Sequence, residues 1–173
     1  MNVRLAVASD VAAVRDLETE AFGFTWDEST FLKEFQRPDC LFTVGEVEGG
    51  TVAMASLHWV LDEVHLVSIA VAPAYRGQGL SRVLLGVNMA FARLREELRW
   101  MTLEVKWDNP PALALYKSYG FTTVGKRKKY YRDGQDARIM FSGEFREERY
   151  VSALARYEAE AERLMREWKD TRP

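Results

Sequence analysis

The stretch Arg76-Gly77-Gln78-Gly79-Leu80-Ser81-Arg82 carries the clearest chemical signal in the chain. It falls between a run of strand-forming residues and a long helical period, where a helix N-terminus exposes unpaired amides and a partial positive charge. Two glycines let an anion approach the backbone closely, and Arg76 and Arg82 add guanidinium donors suited to phosphate oxygens. The ligand this combination suits is a diphosphate. A glycine turn before a helix is also a common structural device, and on these residues alone both readings stay open. Rival phosphate motifs fit worse: Arg82 stands where a dinucleotide fingerprint needs its third glycine, and the turn has no lysine for a P-loop. His58 and His65 lie on adjacent expected strands, but with one cysteine and no metal-ligand spacing no metal is expected. Cys40 follows the Pro38-Asp39 turn and reads as a small hydrophobe, with no base to activate it. The run Lys126-Arg127-Lys128-Lys129 reads as a solvated hairpin face that is also able to contact a phosphate or an acidic partner.

The elements that must position this turn alternate between extended and helical patterns. Val3 to Val7 suits a first strand. Ser9 or Asp10 offers an N-cap for a helix that places Val11, Val14, Leu17, Ala21 and Phe22 on one face. A loop from Phe22 to Asp27 leads into a short helical stretch around Ser29 to Phe35. Leu41 to Val47, Thr51 to Val60 and Glu63 to Ala72 read as antiparallel strands, turning at Glu48-Gly49-Gly50 and Leu61-Asp62. Leu80, Val83, Leu84, Val87, Phe91, Leu94 and Leu98 then mark a long amphipathic helix. Trp100 to Lys106 is a strand, Asn109-Pro110 caps and starts another helix, and Gly120 closes it. Phe121 to Tyr131 and Ala137 to Phe145 suit a hairpin across Asp133-Gly134. From Glu147 to Trp168 an apolar stripe of Tyr150, Leu154, Tyr157, Ala161, Leu164 and Trp168 predicts one helix about 33 Å long. The expected organisation is a mixed α/β (α+β) domain over 1–145 with an amphipathic helical extension over 146–173. That extension either packs back on its own domain or offers a dimer or partner surface.

Bulk properties narrow the classes of function. Lys and Arg total 24 against 26 Asp and Glu, a formal charge of −2, which leaves no basic footprint for nucleic acid. One cysteine excludes an internal disulfide and suits a reducing compartment. Neither a signal-peptide pattern nor an apolar run of about 18 residues occurs, so a cytoplasmic protein without a membrane span is expected.

The segment Val67-Ser68-Ile69-Ala70-Val71-Ala72-Pro73, followed by Arg76 to Ser81, resembles the acetyl-CoA-binding motif of the GNAT superfamily of N-acetyltransferases. That motif is commonly written Gln/Arg-x-x-Gly-x-Gly/Ala. Arg76 and Gly79 match it, and the small Ser81 replaces the last glycine or alanine. Leu103-Glu104-Val105, Asn109, Leu115-Tyr116, Gly120-Phe121, Tyr130-Tyr131 and Asp136-Ala137-Arg138-Ile139-Met140 are similar to the RimI-like branch, the ribosomal-protein alanine N-acetyltransferases. The resemblance spans about residues 2 to 142. Asp108, Pro110-Pro111 and Gln135 depart from the branch pattern.

This resemblance implies a mostly antiparallel twisted sheet flanked by helices, with acetyl-CoA as co-substrate. It implies Glu104 as general base and Tyr116 as general acid, types that suit the chemistry. Thioester aminolysis needs a neutral amine and a proton for the departing thiolate, and a phenol of pKa about 10 can supply that proton at pH 7. It further implies that Ile69, Ala70 and Val71 hold the acetyl and pantetheine portion, that Arg76 to Arg82 hold the diphosphate, and that Asn109 bonds the cofactor. Tyr130, Tyr131 and, from the opposite wall, Trp26 are candidates to grip the acceptor. The acceptor implied is a protein N-terminus, such as the alanine that begins the eighteenth small-subunit ribosomal protein. An α-amine of pKa about 7.7–8.0 is partly neutral near pH 7.5, whereas a lysine of pKa about 10.4 costs about 4 kcal/mol to neutralise. A small amine or lysine acceptor, or a non-catalytic acyl-CoA-binding module, are the alternatives.

Overall fold

The computed structural model describes residues 1–171. Its centre is a seven-stranded sheet: β1 (Asn2–Leu5), β2 (Cys40–Val47), β3 (Gly50–Val60), β4 (Glu63–Val71), β5 (Trp100–Lys106), β6 (Thr122–Arg127) and β7 (Ala137–Glu144). The strand order is β1-β2-β3-β4-β5-β7-β6, and among the described residues only β4 and β5 run parallel. Helices α1 (Val11–Phe22) and α2 (Glu28–Gln36) cover one face around Phe31, Phe35, Phe42 and Met54. The other face buries a larger cluster with α3 (Leu80–Leu94), α4 (Pro110–Ser118) and the tail helices α5 (Glu148–Leu154) and α6 (Glu158–Asp170). Among the described residues no helix is long and apolar enough to cross a membrane.

Where β4 passes β5, a one-residue bulge changes the sheet. Ser56 pairs with Ser68 but Leu57 with Leu66, so Val67 is the extra residue. Val64 and Leu66 face the α3 side, whereas beyond the bulge Ala70 faces the α1 and α2 side. A bulge bends its strand and adds twist. Parallel pairing accordingly ends at Leu66–Leu103, and the C-terminal halves of β4 and β5 part.

Several expected boundaries move. Asp10 does not cap α1 by its side chain. Its carboxylate is buried, accepts from Val7 N at 2.9 Å and from Thr51 Oγ1 at 2.8 Å, and pairs with Arg4 at 2.7 Å. Helix α3 stops at Leu94, because Arg95 turns extended and lays its guanidinium 4.4 Å and 4.7 Å from the Trp59 and Trp168 ring centroids. Leu98 is still buried, but from the following loop. The hairpin strand ends at Arg127, so Tyr130 and Tyr131 sit in the β6–β7 loop.

The expected single tail helix is two, broken by a 3-10 turn at Ala155–Tyr157. That turn brings Tyr157 over Gly86 of α3, where any Cβ would clash with the tyrosine ring. All six residues of the expected stripe are buried in the same cluster as α3 and the sheet. The stripe is therefore covered by the chain's own domain and is not an open surface for a second copy. Trp168 closes the contact, with its indole Nε1 donating to Cys40 O at 2.9 Å.

Candidate active site

The parting of β4 and β5 opens a cleft of about 940 Å³. Ile69, Ala70 and Val71 line one wall from β4, and Glu104 lines the other from β5. Arg76, Gly77, Gly79, Leu80 and Ser81 close one end at the start of α3. Gly77 and Gly79 hold φ of +76° and +79°, and Gly79 is the residue that caps α3. This left-handed backbone is the reason for glycine here. It turns the chain so that the start of α3, at Leu80 and Ser81, opens on the cleft, the arrangement that receives phosphate. Arg76 Nε donates to Val71 O at 3.0 Å, tying the turn to the end of β4. Gln78 and Arg82 are not part of the cleft wall, and Gln78 Nε2 instead donates to Ala74 O at 3.2 Å. Asn109 lines the cleft while its Oδ1 accepts from Ala112 N at 3.2 Å as the cap of α4, leaving its amide hydrogens as donors.

Glu104 sits between Leu103 and Val105, which point into the core, so alternation turns its carboxylate to the cleft side of the sheet. Its side chain is only 7% exposed. Oε2 is 3.0 Å from His65 Nε2, and Oε1 is 3.0 Å from Arg127 Nη1. The His65 hydrogen bond, with the charges of His65 and Arg127, outweighs desolvation and holds this carboxyl below the usual range. Thr102 Oγ1 donates to Glu63 at 2.7 Å and lies 3.2 Å from His65 Nδ1. A threonine hydroxyl has one proton, so towards His65 it can only accept. His65 Nδ1 is therefore the donor towards Thr102, and its Nε2 faces the Glu104 carboxylate.

Tyr116 lines the same cleft from α4, buried, with its ring 5.8 Å from Phe121. Burial first, and then the neighbouring Tyr131, push its phenol well above the usual tyrosine value. The carboxyl is thus ready to accept a proton and the phenol keeps one to give, as acid–base work at one site requires.

The far end of the cleft is walled by two loops. Arg132 stacks 4.2 Å from the Phe24 ring centroid, joining the β6–β7 loop to the α1–α2 loop. Lys106 Nζ is 2.6 Å from Asp133 and 5.4 Å from the Tyr131 ring centroid. Tyr130, Tyr131 and Trp26 all line this end. Burial, with Tyr130, Glu104 and Asp133 adding to it, pushes the Tyr131 phenol up to about 12. Glu18, buried beneath Trp26, accepts from Thr25 Oγ1 at 3.2 Å, and burial raises its pKa.

Sequence reasoning missed His65, Thr102, Arg127 and Glu18. The first two share strand parity with Glu63 and Glu104, but their contact depends on the His65–Thr102 register of a parallel pair. Arg127 belongs to the basic run at 126–129 and is 55% exposed while gripping Glu104.

Residues 11–121 match the model of the acetyltransferase (GNAT) family. The chain is 36% identical over 135 residues to the ribosomal protein bS18-alanine N-acetyltransferase of Escherichia coli strain K12, covering 76% of this chain and 90% of that protein. It is 38% identical over 142 residues to the N-alpha-acetyltransferase RimI of Mycobacterium tuberculosis, covering 76% and 85%. The crystal structure of the E. coli ribosomal-protein-S18-alanine N-acetyltransferase superposes with a TM-score of 0.73 at 35% identity, over 82% of this chain and 92% of that one. With a family match over most of the chain and close to full-length relatives above 30% identity, this chain belongs to the GNAT family of acetyltransferases and is an N-acetyltransferase of its RimI-like branch.

Proposed function

We propose that the protein transfers the acetyl group of acetyl-CoA to the α-amine of a protein N-terminus. One observation carries this reading: Glu104 and Tyr116 line the same cleft as the Gly77–Ser81 turn. The residues fit the co-substrate. The glycine turn offers amides to a diphosphate, and the parted strands offer unpaired edges to an extended arm ending in a thioester beside Glu104 and Tyr116.

Glu104 accepts a proton from the acceptor ammonium, with His65 Nε2 and Arg127 Nη1 holding its two oxygens in place. The freed amine forms the new C–N bond as the C–S bond breaks. Tyr116 donates its phenolic proton to the departing thiolate and recovers one from the amine nitrogen, so the net release is one proton to solvent. A carboxylate with a depressed pKa is a weak base, which suits an α-amine better than a lysine, whose proton is far more tightly held. The Trp26, Phe24 and Tyr131 end of the cleft receives the first residues of the peptide. The E. coli relative is named for the alanine of ribosomal protein bS18, and we assign the corresponding N-terminus as the acceptor, in the cytoplasm where ribosomal proteins are made.

The test is turnover of acetyl-CoA with a short peptide beginning Ala-Arg, beside the same peptide with a blocked N-terminus. Turnover that vanishes on blocking is expected. Equal turnover of both peptides, or turnover of polyamines alone, would overturn the α-amine assignment.

A further inference from the structure

Away from the cleft, three side chains of metal-ligating type converge beneath α2. One ligand atom each from Glu34 on α2, Cys40 at the start of β2 and His58 on β3 lies within 4.8 Å of the others. Cys40 and His58 are register partners in the β2–β3 ladder, so their side chains leave the same face side by side. Glu34 reaches down to them, with Oε2 2.6 Å from His58 Nε2. Glu34 and Cys40 are buried, whereas His58 is partly exposed and gives an ion a way in.

We propose that Glu34, Cys40 and His58 bind a thiophilic divalent cation, zinc by preference, with water completing the coordination. Thiolate, imidazole and carboxylate together are a zinc donor set, and the thiolate disfavours magnesium and calcium. Metal–ligand bonds of about 2.0–2.3 Å separate the donor atoms of a tetrahedral site by roughly 3–4 Å. Small side-chain shifts that open the His58–Glu34 contact bring the three atoms into that range. Charge fits as well. Arg37 bonds both Glu34 at 3.1 Å and Asp39 at 2.6 Å. A thiolate and the two carboxylates carry three negative charges against one positive from Arg37, and a divalent cation brings the sum to zero. On coordination the thiol proton leaves to solvent and the lone pair on sulfur binds the metal, with no change of oxidation state. No short ligand motif announces the site, because its three ligands come from three elements. A bound ion would staple α2 to the sheet. Phe31 of α2 packs 5.8 Å from Trp26, so the staple would also steady the acceptor wall.

The experiment titrates the full-length protein with zinc and, in a parallel series, cobalt. At a zinc concentration about 100-fold above its dissociation constant, the melting temperature should rise by roughly 5–10 °C. Cobalt should give a thiolate-to-metal absorption band. Cys40→Ser should abolish the band, and His58→Gln, at a partly exposed position, should remove most of the zinc-induced rise. Absence of both signals in the unaltered protein would overturn the proposal. A zinc-induced rise that survives His58→Gln but is lost in His65→Gln would do so too, by moving the metal to the cleft.

Discussion

Tyr116→Phe removes one oxygen and leaves the ring packed against Phe121. The Tyr116 hydroxyl has no hydrogen-bond partner among the described residues, so the change breaks no internal side-chain bond, and folding stability should move by less than about 1 kcal/mol. The effect on chemistry should be far larger. A positioned general acid contributes about 10²- to 10⁴-fold. Burial makes this phenol a weaker acid than a free tyrosine, which lowers the driving force for protonating a thiolate. The lower end of the range therefore applies, a fall in kcat of about 100-fold, equivalent to about 2.7 kcal/mol. Because the phenol's pKa is raised, it stays protonated through the ordinary tyrosine range, and no loss of the acid is expected below about pH 10. Initial rates followed by thiol release should give kcat, and calorimetry the acetyl-CoA affinity, which should be nearly unchanged. A kcat within threefold of the unaltered protein would remove Tyr116 as the acid. A fall in affinity matching the fall in rate would make it a binding residue instead.

Glu104→Gln keeps the shape of the side chain but cannot take a proton, and kcat should fall by about 10²-fold or more in the same assay. The Glu104 pKa is lowered, so the base form is present above its folded value and is lost only as pH falls through that value, below the usual carboxylate range. The acid limb of the rate profile should therefore follow the acceptor ammonium, and a peptide with a less basic α-amine should move it to lower pH; a limb that stays fixed would reject this. Gly79→Val forces a β-branched residue to φ +79°, and although a Cβ there meets open space, the strain should reshape the turn and weaken acetyl-CoA binding by about 10-fold, measured by calorimetry. Trp168→Ala empties a buried site beside Trp59, Phe91 and Arg95, at a cost of about 3–5 kcal/mol, and should lower the melting temperature by roughly 6–20 °C.

The sequence by itself determined the order of the elements, since periods of 2 and 3.6 are local properties. The turn from Arg76 to Ser81 and the cleft-facing parity of Glu104 were legible for the same reason: a glycine before a helix and alternation in a strand need no knowledge of the rest of the chain. The apolar stripe of the tail was equally plain, and all six of its residues are buried. Its break at Ala155–Tyr157 was not, because that turn answers to Gly86 on a distant helix.

Only the tertiary structure decided which residues meet. The bulge at Val67 and the end of parallel pairing at Leu66–Leu103 create the cleft, and neither follows from residue types. Register across β4 and β5 brings His65 to Thr102 and Glu104, and the long reach of Arg127 carries it to the same carboxylate. Cys40 likewise reads as a small hydrophobe, and only the sheet sets it beside His58 under Glu34. Local periodicity reports what each segment becomes, whereas contacts between segments depend on register and packing summed over the whole core.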